Sequence, residues 1–243
     1  MRVRSVIRLG LALAVVVLVA WLLMWAAESG AFGGASAAES GSGTAPGSVT
    51  SSAFPAPTAD TVAQAKDRLA GLGTGYGGEG GAYHRESFGR GWADLDGDGC
   101  LTRNEVLQRD LTGTSLHGNG CVVASGTLLD PYTGETVRFT HGSESSQAVQ
   151  IDHIVPLAYA WRQGAWRWSA EQRVRFSNDQ RNLVAVDGQQ NDDKGSDGPG
   201  RWMPPNAGVH CGYAVTFVMI LNEYGLDAFP ADERELSATL ARC

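Results

Sequence analysis

The chain has 243 residues, with 26 acidic and 19 basic side chains and a formal net charge of −7. A molecule this acidic has no overall attraction for phosphate, which excludes nucleic-acid binding by bulk charge and leaves only local contacts. No segment recurs at a fixed period, which sets aside repeat architectures.

Arg2, Arg4 and Arg8 precede an uninterrupted apolar run from Leu9 to Ala27. As a helix it spans roughly 28 Å at about 1.5 Å per residue, close to a bilayer core. The run is longer than the usual signal-peptide core of about 7–15 residues, which favours a retained membrane anchor over residues 1–27. Ala35-Ser36-Ala37 offers a cleavage site, so a signal peptide stays open. With the basic flank inside, everything after the run is extracytoplasmic, secreted or surface-anchored. Residues 28–59, rich in Gly, Ala, Ser, Thr and Pro, read as a flexible tether. Residues 60–243 suffice for one domain.

Within that domain a helix is expected over Thr61–Leu72, with Val62, Ala65 and Leu69 on one stripe. An acidic loop then leads from Trp92 into a helix carrying Val106 and Leu107. A hairpin is expected over Thr127–Thr140, turning at Asp130-Pro131-Tyr132-Thr133-Gly134. Val149–Ile151 reads as a short strand that delivers Asp152 and His153. Ser169 caps a helix reaching Phe176, and Leu183–Val186 is a second short strand. Asp187 caps a short helix through Lys194, ended by Gly195. Tyr213–Tyr224 is helical, and Asp232 is read as the cap of a last helix. The sum is an α+β domain with small sheets.

Cys100, Cys121, Cys211 and Cys243 all fall in the exported part. An even count outside the cytoplasm predicts two disulfides, and chain proximity favours Cys100–Cys121 with Cys211–Cys243 among three pairings. Without a C-x-x-C pair, a zinc site is disfavoured.

The chemistry concentrates between residues 149 and 195. A strand ending in Asp152, followed by a second strand and a helix carrying Asn191, can bring a carboxylate and an amide oxygen together. Such hard donors suit one Mg²⁺ or Mn²⁺ ion. His153 points to the opposite strand face and can take a proton from water attacking phosphorus. Asn182 is suited to holding the backbone around His153. Lys194, one turn after Asn191, and Arg181 are candidate phosphate contacts. Acidic and basic side chains balance from Gln150 to Arg201, so the acidic excess lies elsewhere.

The ordered set Asp152-His153-Ile154-Val155-Pro156-Leu157, Asn182-Leu183 and Asn191-x-x-Lys194 resembles the HNH, or ββα-metal, endonucleases. The wider chain is similar to the secreted branch of the family that supplies the C-terminal domain of GmrSD-type restriction enzymes. That likeness is carried by Trp92–Cys100, Thr102–Leu107, Asp130–Gly134 and Ser177–Leu183. The resemblance implies Asp152 and Asn191 as metal ligands, His153 as general base and Asn182 as structural. It also implies a nucleic-acid substrate, DNA first, cut to 5′-phosphate and 3′-hydroxyl ends. No protein partner is expected.

Asp94, Asp96, Asp98 and Glu105, with Gly99 between, fit a twelve-residue calcium loop, although no entering helix precedes it. A structural Ca²⁺ there is the companion expectation; an acidic turn is the plain one. His84, His117, His141 and His210 read as ordinary surface histidines, and most tryptophans as core. The alternative to an enzyme is a cell-envelope module keeping an HNH-like scaffold, stabilised by calcium and disulfides.

Overall fold

The computed structural model of the protein describes residues 53–75, 78, 80–118, 120–142 and 147–243; the expected anchor and most of the tether lie outside them. Among the described residues no helix is long and apolar enough to cross a membrane. In chain order the elements are α1 (Ala59–Gly71), α2 (Thr102–Asp110), β1 (Leu111–His117), β2 (Val122–Leu129), β3 (Thr136–Thr140) and β4 (Val149–His153). There follow α3 (Leu157–Arg162), α4 (Ala170–Ser177), β5 (Leu183–Asp187), α5 (Gly188–Lys194), α6 (His210–Glu223) and α7 (Pro230–Arg242). The strands form two antiparallel sheets, β1-β2-β3 and β4-β5.

The β4-β5 pair is sandwiched, which explains why β5 is apolar at every position but its last. Val184 and Val186 pack into the larger helical core, while Leu183 and Ala185 pack into a second core. Side chains alternate along a strand, so the two sets leave on opposite faces. The second core also takes Val149 and Ile151 of β4, Val106 and Leu107 of α2, and Phe139 of β3. The larger core surrounds α6, whose Tyr213, Phe217, Val218 and Leu221 are buried.

Local signals account for most boundaries. The Thr58 hydroxyl accepts from the Thr61 amide at 3.2 Å, so α1 starts two residues before the apolar stripe suggests. Ser169 and Gln172 form a reciprocal capping box that opens α4, and Asp187 accepts from the Gln190 amide to open α5. Gly195, at φ +53°, ends α5.

The structure corrects the sequence reading in several places. β1 is absent from the expected hairpin because it is exposed at every position after Leu111 and shows no alternating pattern. α3 begins at Leu157, directly after Pro156, whose fixed φ suits a helix start. Asp232 does not cap the last helix: Pro230 opens α7, and Asp232 sits buried in its first turn, accepting from the Gly200 amide at 2.8 Å. Phe54, which composition assigns to the tether, is buried edge-on against Tyr213 and parallel to Tyr132. It can lie there because Gly212 has no Cβ, which otherwise falls 2.9 Å from the Phe54 Cβ.

Disulfides join Cys100 to Cys121 and Cys211 to Cys243, the pairing that proximity favours. The first links the acidic loop to the start of β2. The second ties the first turn of α6 to the chain terminus after α7.

Candidate active site

Four short segments carry the site, and their side chains explain why each is polar. In Asp130–Gly134 the buried Asp130 accepts from the Thr133 amide and hydroxyl and from the Asp187 amide of β5. That turn presents Tyr132, fully buried, whose hydroxyl donates to Asp152 Oδ2 at 2.5 Å. In Ser177–Asn182 the Ser177 carbonyl meets His153 Nε2 at 2.9 Å, and Asn178 Oδ1 accepts from the Ala93 amide. Asp179 takes the Tyr224 hydroxyl and the Arg181 guanidinium. Asn182, wholly buried, clamps the turn after β4: its Oδ1 accepts from the Val155 amide at 2.8 Å and its Nδ2 donates to the Val155 carbonyl at 3.1 Å. The Asn182 carbonyl accepts from the Ile154 amide as well.

Register decides which side chain faces where. Asp152 lies opposite Val184 and His153 opposite Leu183, so the two neighbours leave the strand on different faces. A slip of one residue swaps them. Gln150 shares the Asp152 face and accepts from Asn191 Nδ2 at 2.6 Å, which leaves the Asn191 amide oxygen for another partner. Asp152, His153 and Asn191 all line one cavity of about 470 Å³, together with Tyr83 and Arg85. The aspartate and the distal asparagine, far apart in sequence, thus meet at one opening.

His153 is 6% exposed, and its ring stacks on Trp92 with centroids 5.8 Å apart and planes 6° from parallel. Burial pushes the imidazole down to about 3, partly opposed by the bond to the Ser177 carbonyl and reinforced by Arg85 and Lys194. The ring is therefore neutral at neutral pH. A carbonyl only accepts, so Nε2 carries the proton and Nδ1 keeps its lone pair.

Lys194 stands apart from its expected place at a phosphate. It is 1% exposed, with Nζ 2.8 Å from Asp152 Oδ2, 3.1 Å from Oδ1 and 2.9 Å from the His153 carbonyl. Burial lowers its proton affinity and Asp152 restores part of it. Arg181 pairs with Asp179 at 2.7 Å and lines a different cavity, beside Trp168 and Tyr224. The cation on the wall of the Asp152 cavity is instead Arg85, exposed in a short 3-10 turn (Arg85–Phe88), and it also lines a small pocket behind His153 with Trp92. Arg85 and Tyr83 lie outside every motif, and only their place in the fold marks them.

In the acidic loop Asp94, Asp96 and Asp98 converge, with carboxylate oxygens within 4.8 Å of one another. They accept loop amides of Gly97, Asp98, Gly99 and Cys100. Glu105 is outside that group and accepts from Gln180 at 3.1 Å. Burial, with the loop aspartates, raises its proton affinity.

Comparison with known proteins identifies the family. Residues 101–239 match the family model for the C-terminal domain of GmrSD restriction endonucleases. A protein of Arthroderma benhamiae, described as an uncharacterized secreted protein, is 35% identical over 189 residues, covering 77% of this chain and 88% of the relative. No solved structure matches. The matched span contains Asp152, His153, Asn182 and Asn191. The chain belongs to the nuclease-related family of the GmrSD restriction endonuclease C-terminal domain.

Proposed function

We propose that this chain is a metal-dependent endonuclease of HNH type that hydrolyses phosphodiester bonds of nucleic acid, DNA first, outside the cytoplasm. The observation that carries it is the shared cavity of Asp152, His153 and Asn191, lined by β4, the start of α3 and α5. The antiparallel pair β4-β5 with α5 directly after β5, although α3 and α4 intervene between the strands, is compatible with the HNH likeness. The two disulfides, and the description of the fungal relative as secreted, support the location.

The donors fit a hard divalent cation. Each carboxylate oxygen has two lone pairs, so Asp152 can hold Tyr132 and Lys194 and still offer one, and the Asn191 amide oxygen is turned away from Gln150. When bound there, Mg²⁺ or Mn²⁺ supplies charge stabilisation at the phosphoryl oxygens and the leaving 3′ oxygen.

The remaining chemistry belongs to the protein. His153 Nδ1 removes a proton from the water attacking phosphorus, while Nε2–H stays on the Ser177 carbonyl and fixes the ring. Burial holds the free imidazole neutral, and the negative charge of an incoming phosphate raises its proton affinity as the reaction begins. The stacked Trp92 keeps the ring plane. Arg85 faces the phosphate from the cavity wall. Asn182 holds the turn through Val155, so it positions and does not react.

Plasmid nicking with Mg²⁺ or Mn²⁺ tests this, comparing the parent with His153→Ala. Cleavage by the parent and a loss of at least about 100-fold in the variant are expected. Equal cleavage by both ends the catalytic claim. A second reading, a non-catalytic module, is favoured by one observation: Lys194 already balances the charge of Asp152 without an ion. It predicts no cleavage by a fully folded parent.

A further inference from the structure

Ser196, on the wall of the Asp152 cavity, also lines a second, larger cavity of about 650 Å³. Three exposed arginines, Arg162, Arg201 and Arg234, line the second cavity. They come from α3, the loop after α5 and the first turns of α7, so only the tertiary structure assembles them. In a chain of net charge −7 such a gathering is a local exception.

The carboxylates present offset it only in part. Asp232 is buried and turned to the Gly200 amide, with the Tyr159 hydroxyl as a further partner. Asp197 pairs with Arg201 at 3.8 Å, so three arginines face two carboxylates, one of them buried. Arg162 donates to the Ser196 carbonyl at 2.9 Å, and its guanidinium lies 5.6 Å over the Phe229 ring. Phe229 and Tyr159 give the same wall an aromatic face.

The cavity is also held rigidly to the site. The loop after α5 reaches α7 through two glycines packed without clearance. A Cβ on Gly198 falls 2.5 Å from the Asp232 carboxylate, and one on Gly200 falls 2.6 Å from the Ala231 backbone. The helix that carries Asn191 therefore passes directly into the arginine wall.

We propose that this cavity is a second phosphate-binding site for the nucleic-acid strand, which crosses Ser196 so that one phosphate lies beside His153 and another among Arg162, Arg201 and Arg234. Arg201 and Arg234 supply charge, and Arg162 with Phe229 supplies a flat face for sugar or base. The proposal rests on the nuclease reading, but its test separates the two.

Binding of a fluorescein-labelled DNA duplex is followed by anisotropy in EDTA at several salt concentrations, alongside plasmid nicking in Mg²⁺. The variant is Arg201→Ala/Arg234→Ala, and both residues are exposed. The control, Arg68→Ala/Arg138→Ala, removes the same charge from α1 and β3, which line neither cavity. The cavity variant is expected to bind roughly tenfold more weakly, with a salt slope shallower by about 1.8, while the control matches the parent. Binding by the cavity variant equal to that of parent and control overturns the second site, whether or not the parent nicks plasmid. Weakened binding together with no nicking by the parent keeps the second site and removes the nuclease. A parent that neither binds nor nicks overturns both.

Discussion

At the scale of single residues, the decisive contact is Lys194 on Asp152. An ammonium with no exposure is stable only because a carboxylate, a tyrosine hydroxyl and a backbone carbonyl surround the pair. Removing one partner leaves the other as an uncompensated buried charge. Lys194→Met is expected to cost about 3–5 kcal/mol in urea denaturation. Asp152→Asn/Lys194→Met, which removes both charges, should regain much of that loss. A single variant within about 1 kcal/mol of the parent means the pair is not formed in solution. The same contact shows the limit of spacing arguments. Three residues after Asn191, Lys194 lies on the helix face toward the site, as spacing requires. Its long stem turns it inward to Asp152, where spacing alone suggested a surface phosphate.

At the scale of elements, short polar motifs act as joints between strands and helices. Asp130 fastens the turn after β2 to β5, and Asn178 fastens the end of α4 to the start of the acidic loop. Thr102 closes that loop from the other side, its amide and hydroxyl both donating to the Ala93 carbonyl. Between these joints the exposed Asp94, Asp96 and Asp98 are held with carboxylate oxygens within 4.8 Å of one another. If the loop is a calcium loop, added Ca²⁺ raises the melting temperature over that in EDTA by several degrees, and Asp94→Asn/Asp98→Asn removes the rise. Identical melting in Ca²⁺ and EDTA makes the loop a plain acidic turn. Glu105 accepts from Gln180 while it stays near enough to the three loop aspartates to feel their charge. Spacing counts residues, whereas the side chain chose a partner 75 positions away.

Across the whole molecule, two cores share one two-stranded sheet, and the disulfides lie at the edges of each. Cys100–Cys121 closes a span of 21 residues beside the second core, and Cys211–Cys243 a span of 32 around α6 and α7. Chain-entropy reasoning assigns each about 3–4 kcal/mol. Reduction of the folded chain should lower the melting temperature by more than ten degrees, and the loss from Cys211→Ala/Cys243→Ala should spread to His153 through α6 and Tyr224. Hydrogen exchange at the Val155 amide, held by Asn182, reports that spread. Unchanged protection there after reduction means the second disulfide only closes the terminus.

By itself the sequence determined the two short strands and the helix around Asp152 and the caps Ser169 and Asp187, and it favoured the cysteine pairing that forms. The caps rest on contacts between near neighbours and the strands and helix on their apolar patterning. Only the tertiary structure decided that Arg85 faces the cavity, that Tyr132 and Lys194 hold the aspartate, and that three distant arginines meet beyond Ser196. The reason is physical: a long polar side chain has comparable local energy pointing inward or outward. Its direction is set by whichever partner the packed core brings within reach, and spacing along the chain carries no trace of that choice.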